Sequence, residues 1–130
     1  MARKDLRDVS PAEFERLVAE ALDGIPEEFA RYLENVAVVI EEAPTRALLK
    51  AEGIDPRHDA LYGLYEGVPL DARPHDFAGH PPDRITIFRA PLLEDCRTRE
   101  ELREEVRITV VHEIAHFFGF DDDYVHRLGY

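Results

Sequence analysis

The residues best suited to chemistry lie near the end of the chain, in the segment His112-Glu113-Ile114-Ala115-His116. On a helix, two histidines four positions apart project from one face, one turn above the other. Two imidazoles at this spacing can bind one zinc ion together. The glutamate that follows the first histidine is then placed to act on a zinc-bound water. A pattern this short also occurs by chance, so its weight depends on the elements that would position it.

Candidates for a third metal ligand follow just beyond the second histidine. Gly119 predicts that the backbone turns out of the helix there, because glycine readily adopts the left-handed cap conformation. Asp122, six residues after the second histidine, could then return to the metal. Asp121 and Asp123 are alternatives, and His126 is a further one. An aspartate that is not a ligand would orient a ligand histidine or stand in a solvated turn.

A long helix is predicted to carry the histidine pair, from about Thr98 to about Phe118. Its start, Thr98-Arg99-Glu100-Glu101, has the form of a capping box. Helical periodicity places both histidines on one side, above Thr109 and Glu105, and most of the apolar residues near them on the other. The apolar side would pack into a core, and the histidine side would face a cleft.

Two plainer interpretations of the histidines are a pair satisfied by ordinary hydrogen bonds and a purely structural metal site. Structural zinc usually takes four protein ligands, often cysteines. The chain has a single cysteine, Cys96, and three obvious ligands. This count favours a site that keeps the open position that catalysis needs. Cys96 itself is interpreted as a bystander beside the helix cap.

The spacing His112-Glu113-x-x-His116-x-x-Gly119-x-x-Asp122 resembles the extended zinc motif of metzincin-type metallopeptidases, in the variant whose third ligand is aspartate. The small size, the run from 116 to 123 and the short tail more closely resemble the bacterial mini-zincins. These are small zincin-like proteins long known as a domain of unknown function.

This resemblance covers most of the chain, including Leu61–Gly67 and Asp83–Phe88. It implies a minimal zincin-like fold and a metallopeptidase that binds one Zn²⁺ ion, with a natural substrate that is not established. On this interpretation His112, His116 and Asp122 are the metal ligands. Glu113 is the general base that activates a water for hydrolysis of a peptide bond.

One departure from the resemblance concerns the substrate cleft. Metzincins carry a methionine turn beneath the metal, downstream of the third ligand. The only methionine here is Met1, and eight residues follow Asp122. We therefore expect a shallow cleft, or one completed by the N-terminal segment, by a second copy of the chain in a homodimer or by a protein partner.

Composition sets the class of protein. A chain of 130 residues with 45% hydrophobic residues suits a single domain, residues 1–130, with one core. No apolar run approaches the length of a membrane span. The first residues lack the apolar segment of a secretory signal, and a single cysteine excludes an internal disulfide. These features favour a cytoplasmic protein.

The formal net charge of -12 argues against binding to nucleic acid or to an anionic membrane. The expected partner is instead a peptide or protein substrate. If the charge biases substrate choice, it favours basic or neutral peptides over acidic ones.

The remaining elements predict an α+β fold in which a small mixed sheet packs on the metal-bearing helix and an N-terminal helix. Ser10-Pro11-Ala12-Glu13 is a second capping box, and Gly24 would end the helix that it begins. Further helical segments are predicted at Pro26–Leu33, Thr45–Glu52 and Pro91–Asp95. Strands are predicted at Val36–Ile40, which reads as buried, and at Leu61–Glu66 and Arg84–Arg89.

By analogy with zincins, Leu61–Glu66 is the edge strand that borders the cleft, and Arg84–Arg89 is interior. The opposite assignment for Leu61–Glu66 stays open, because strand order cannot be derived from sequence. Val68–Pro82 holds four prolines and one glycine and is predicted as a loop and a candidate lid.

Two other functions compete with peptide hydrolysis. Endoribonucleases that mature ribosomal RNA carry histidines at the same first two positions but not the glutamate. Such an activity would need a basic groove, for which Arg73, Arg84 and Arg89 are candidates. The second is a non-catalytic module in which zinc only stabilises a protein-binding domain.

Several other polar residues have weaker claims to a function. Candidates to stabilise an oxyanion, each better explained as a packing residue, are Tyr124, His126 and Tyr130. No role is assigned to His58, His75 and His80.

Overall fold

The computed structural model describes residues 6–74 and 82–129, which form an α+β fold. The helices are α1 (Pro11–Asp23), α2 (Glu27–Ala30), α3 (Arg46–Ala51), α4 (Arg89–Asp95), α5 (Arg99–Phe117) and α6 (Asp122–Arg127). The strands are β1 (Val36–Glu41), β2 (Gly63–Glu66) and β3 (Asp83–Phe88). Short 3-10 helices span Leu6–Asp8, Arg31–Leu33 and Leu70–Ala72.

The three strands form one mixed sheet in the order β1-β3-β2. β3 lies in the centre, parallel to β1 and antiparallel to β2. This order confirms that the strand predicted at Arg84–Arg89 is interior and that the strand predicted at Leu61–Glu66 is an edge. Arg89, however, begins α4 instead of ending β3. Pro91 falls in the first turn of that helix, where its missing N–H costs no intrahelical hydrogen bond, so the helix can start before it.

The prediction that Val36–Ile40 is a buried strand was wrong about burial. The segment is a strand, but no residue of β1 is fully buried. β1 pairs with β3 alone in the described sheet, so its outer side has no neighbouring strand to cover it. The run of apolar β-branched residues therefore predicted the strand correctly, but the burial inferred from it was too high.

Helix α5 follows its prediction closely. The Thr98 side chain accepts a hydrogen bond from the Glu101 N–H at 3.0 Å and caps the helix. The Glu101 carboxylate accepts from the N–H of Arg97, one residue before the position that a capping box uses. After the helix ends, Gly119 adopts a φ of 97°, which is the left-handed turn predicted for it.

The core lies between α1, α5 and the sheet. α5 contributes the buried side chains Leu102, Val106, Val110, Ile114 and Phe117, and α1 contributes Phe14, Leu17, Val18 and Ala21. Cys96 also packs in this core, where burial raises the pKa of its thiol to about 12. A thiol that stays protonated is a poor nucleophile, which agrees with its interpretation as a bystander.

No helix in the described ranges is both long enough and apolar enough to cross a membrane.

α5 packs closely against β2 at Gly63. A Cβ atom at this position would lie 2.8 Å from Cγ2 of Thr109 and 3.1 Å from Cγ of Glu113. Both side chains are buried on the sheet-facing side of α5. Only glycine leaves enough space for the helix to pack at this distance from the strand.

We expect Gly63→Ala to destabilise the fold by about 1–3 kcal/mol, the cost of inserting a methyl group into a closely packed contact. Gly24→Ala is the matched control, because its Cβ would meet nothing closer than 3.6 Å and its φ is -82°. The control should be neutral or slightly stabilising. Urea unfolding followed by circular dichroism compares the two variants. Equal stability of Gly63→Ala and wild type would contradict the tight contact.

Candidate metal centre

A cleft of about 690 Å³ runs along β2 and is closed on its other side by α5 and the turn after it. The backbone of β2 borders it through Gly63, Leu64 and Tyr65. Both histidines of α5 also line this cleft. The predicted arrangement, with the histidine face of the helix looking into a cleft beside the Leu61–Glu66 strand, is therefore the one observed.

The histidine pair stands as the helical spacing predicted. The ring centroids of His112 and His116 are 4.7 Å apart, and the rings are nearly perpendicular. Nδ1 of His116 lies 3.1 Å from the carbonyl oxygen of Phe120. When Nδ1 donates its proton to this carbonyl, the ring is fixed in the tautomer whose Nε2 carries a free electron pair.

The structure brings Asp122 to the same point. Its Oδ1 lies 3.2 Å from Nε2 of His112 and 2.9 Å from Nε2 of His116. Asp122 is the first residue of α6, whose N-cap is Asp121. Oδ1 of Asp121 accepts a hydrogen bond from the Tyr124 N–H at 2.8 Å. Of the three consecutive aspartates, one thus faces the histidines and one caps a helix.

Helix α6 is not among the predicted elements, since a turn and a short tail were expected after Gly119. The signal was present: Asp121 is a favoured N-cap residue, and Asp122 and Asp123 follow it in the first turn, where carboxylates interact well with the helix dipole. Val125 buries the other side of this short helix. α6 is what holds Asp122 against the histidines.

The donor set fits a zinc ion. Bonds of about 2.0–2.2 Å in a tetrahedral site place ligand atoms about 3.3–3.5 Å from one another. The separation of Oδ1 of Asp122 from Nε2 of His112, 3.2 Å, is close to this value, and its separation from Nε2 of His116, 2.9 Å, is shorter. Two imidazoles and one carboxylate are ligand types that zinc accepts, and three of them leave a position open. His112, Glu113 and His116 also present ligand atoms within 4.8 Å of one another, so Glu113 lies next to the same point.

Glu113 is buried between α5 and β2, with 7% of its surface exposed. Burial raises the pKa of its carboxyl group, while His112, His116 and a hydrogen bond from the Tyr65 backbone N–H act in the opposite direction and do not cancel the rise. The carboxylate is therefore held by the edge strand, beside the histidines and away from bulk water. A carboxylate in this setting is suited to accept a proton from a nearby water.

The other polar residues predicted as candidates for a role in the site lie outside the place where His112, His116 and Asp122 meet. The ring of His126 is 5.6 Å from the ring of His112, and the side chain is exposed. Tyr124 packs its ring against Phe120 at 4.9 Å, as its interpretation as a packing residue requires. His58 is exposed beside Asp55. Tyr130, His75 and His80 lie outside the described residues.

The first part of the predicted loop is anchored to the sheet. Arg73 forms an ion pair with the buried Asp83 of β3 and donates to the carbonyl of Val68 at 2.9 Å. The Tyr65 hydroxyl donates to Asp83 at 2.8 Å. Residues 68–74 are thus fixed beside the cleft. Residues 75–81 lie outside the described ranges, so the lid remains a prediction.

The arginines proposed to gather into a basic groove are each paired with a carboxylate: Arg73 with Asp83, Arg84 with Glu41 and Arg89 with Glu42. Their charges are balanced locally. The endoribonuclease alternative therefore loses the feature that it required.

Comparisons with known proteins agree with the fold and the motif. A solved structure of a conserved hypothetical protein from Thermus thermophilus aligns over 92% of this chain and 97% of its own length, with 23% identity and a TM-score of 0.53. At this identity the likeness concerns the fold alone. The search of curated proteins found no match. The family model described as zincin-like metallopeptidase matches residues 33–130, so the chain belongs to the zincin-like metallopeptidase family.

Proposed function

We propose that this chain is a zinc-dependent metallopeptidase that hydrolyses peptide bonds with Glu113 as general base. The observation that carries the proposal is the convergence of Nε2 of His112, Nε2 of His116 and Oδ1 of Asp122 at one point in the cleft, next to the buried Glu113. Membership of the zincin-like family supports a metal-dependent, peptidase-type activity at the level of the family.

In this proposal His112, His116 and Asp122 hold the metal. A bound zinc ion would supply Lewis acidity, which polarises a carbonyl oxygen and makes water more acidic. The Phe120 carbonyl orients His116 for this role. Asp122 adds one negative charge to two neutral ligands, and α6 fixes its position.

Glu113 moves the proton. Its carboxylate takes a proton from the attacking water and later delivers it to the amine that leaves. The Tyr65 N–H holds one side of the carboxylate and so limits its rotation. Burial raises the pKa of Glu113, which makes the carboxylate a stronger base than an exposed glutamate.

The geometry favours this function over the two alternatives. RNA cleavage would require a basic groove. The described residues form none from the proposed arginines, since each of these is paired with a carboxylate. Burying the Glu113 carboxylate beside the candidate metal ligands costs desolvation free energy. A non-catalytic zinc module gives no reason for this cost.

We expect Asp122→Ala to weaken zinc binding by more than about 100-fold, because removal of a partner that only orients a ligand costs about 10–100-fold. Asp123→Ala is the matched control, because Asp123 stands beside it in the first turn of α6 and is exposed. Competition with a chromogenic chelator measures both affinities. Unchanged affinity in Asp122→Ala together with loss in Asp123→Ala would move the third ligand from Asp122 to Asp123.

We expect Glu113→Gln to lower peptide hydrolysis by about 10²–10⁴-fold, the usual contribution of a general base. Zinc affinity should change little, since Glu113 is not a ligand in this proposal. Cleavage of a broad peptide library, followed by mass spectrometry, measures the activity at matched zinc content. Hydrolysis that is equal in wild type and variant, or absent from zinc-loaded wild type, would exclude the peptidase assignment and favour the non-catalytic module.

A further inference from the structure

The cleft is lined by acidic side chains. Five carboxylates border it in the described structure: Glu52, Asp71, Glu113, Asp121 and Asp122. No lysine or arginine is among the described residues that line it. The cleft therefore carries more negative charge than a single divalent cation would neutralise.

Three of these carboxylates already have partners. Glu113 accepts from the Tyr65 N–H, Asp121 caps α6, and Asp122 faces the two histidines. Glu52 stands at the C-terminal end of the short helix α3. Asp71 has no such assignment, and its carboxylate lies beside Gly119, in the turn that follows α5.

Asp71 rests directly against the turn that follows α5. A Cβ atom at Gly119 would lie 2.4 Å from the Cγ and from both carboxylate oxygens of Asp71. The absence of a side chain at Gly119 is what lets the carboxylate occupy this place. Asp71 belongs to the 3-10 helix Leu70–Ala72, whose neighbour Arg73 is tied to the buried Asp83. The position of its backbone beside the cleft is therefore set by the fold, while its side chain is exposed.

The Asp71 carboxylate forms no hydrogen bond or ion pair with any other residue in the described ranges. The charge of its neighbour Arg73 is directed to Asp83 instead. A carboxylate placed at a cleft wall without a partner can bind a cation that enters the cleft.

We propose that Asp71 is a specificity-determining residue that binds the side chain of a lysine or arginine in the peptide substrate. The inference rests on the proposed function, since it names the substrate class of the same cleft. A basic side chain would neutralise part of the negative charge that a divalent cation leaves in the cleft. An acidic side chain at the same place would be repelled.

Peptide binding tests this inference separately from hydrolysis. The probe is a set of short fluorescein-labelled peptides, acetylated at the N-terminus, in which one position carries Lys, Gln or Glu. Acetylation removes the terminal ammonium group, so only the side chain can supply the positive charge. Anisotropy is measured on zinc-loaded Glu113→Gln protein, and on the same protein that also carries Asp71→Asn.

We expect the Lys peptide to bind about two- to fivefold more tightly than the Gln peptide, the range of a single partly exposed ion pair. The Glu peptide should bind more weakly than either. Asp71→Asn should remove the advantage of Lys, and added salt should reduce it in the Asp71 protein. Glu66→Gln is the matched control, because Glu66 is an exposed acidic residue of β2 that does not line the cleft. It should leave the preference unchanged.

Equal binding of the three peptides, a preference that survives Asp71→Asn, or a preference lost equally in Glu66→Gln would overturn the inference. Hydrolysis of the same peptides by wild type reports on the proposed function. Glu113-dependent cleavage without a charge preference in binding would exclude the role of Asp71 and keep the peptidase. A charge preference in binding without any cleavage would keep the role of Asp71 in ligand selection and exclude the peptidase.

Discussion

The close contact between α5 and β2 at Gly63 is the constraint on which the rest of the site depends. Without a side chain at this position, the helix lies near enough to the strand for Glu113 to receive the Tyr65 N–H. The same approach buries Glu113 and directs the two histidines of the helix into the cleft. A larger distance between α5 and β2 would expose Glu113 to water. It would also separate β2 from the place where the two histidines and Asp122 meet.

Charge is distributed in two different ways in this molecule. Away from the cleft, several arginines are paired with carboxylates, and the Arg73–Asp83 pair is largely removed from solvent. A buried pair of this kind adds little net stability but strongly penalises separation of its partners. It therefore serves to fix the segment 68–74 relative to β3. Along the cleft, carboxylates instead border an open volume that no described lysine or arginine lines.

Much of the site could be predicted because its main signals are local in sequence. The cap at Thr98, the spacing of the two histidines and the turn at Gly119 each depend on residues within a few positions of one another. Helix α5 and the orientation of its histidine face followed from these signals. Two of the missed features, the contact at Gly63 and the exposure of β1, depend on segments distant in sequence. Nothing near Gly63 indicates that Thr109 and Glu113 will pack on it. β1 was predicted as buried because its apolar residues indicate a strand, but they do not indicate how many neighbouring elements cover that strand. α6 was missed because its six residues are too few to show a helical period, although the cap was visible.

The edge strand β2 has a consequence for how tightly an extended peptide could be held. It has four residues, and alternate residues of an antiparallel edge direct their backbone groups away from the sheet. The Tyr62 carbonyl accepts a hydrogen bond from the Phe88 N–H of the neighbouring strand. By the alternation, the backbone groups of Gly63 and Tyr65 are therefore the ones directed away from the sheet. Of these, the Tyr65 N–H already donates to Glu113. An extended peptide laid along β2 would thus gain few main-chain hydrogen bonds. Its residence time in the cleft would be set by side-chain contacts and by the metal, which suits rapid release more than tight capture.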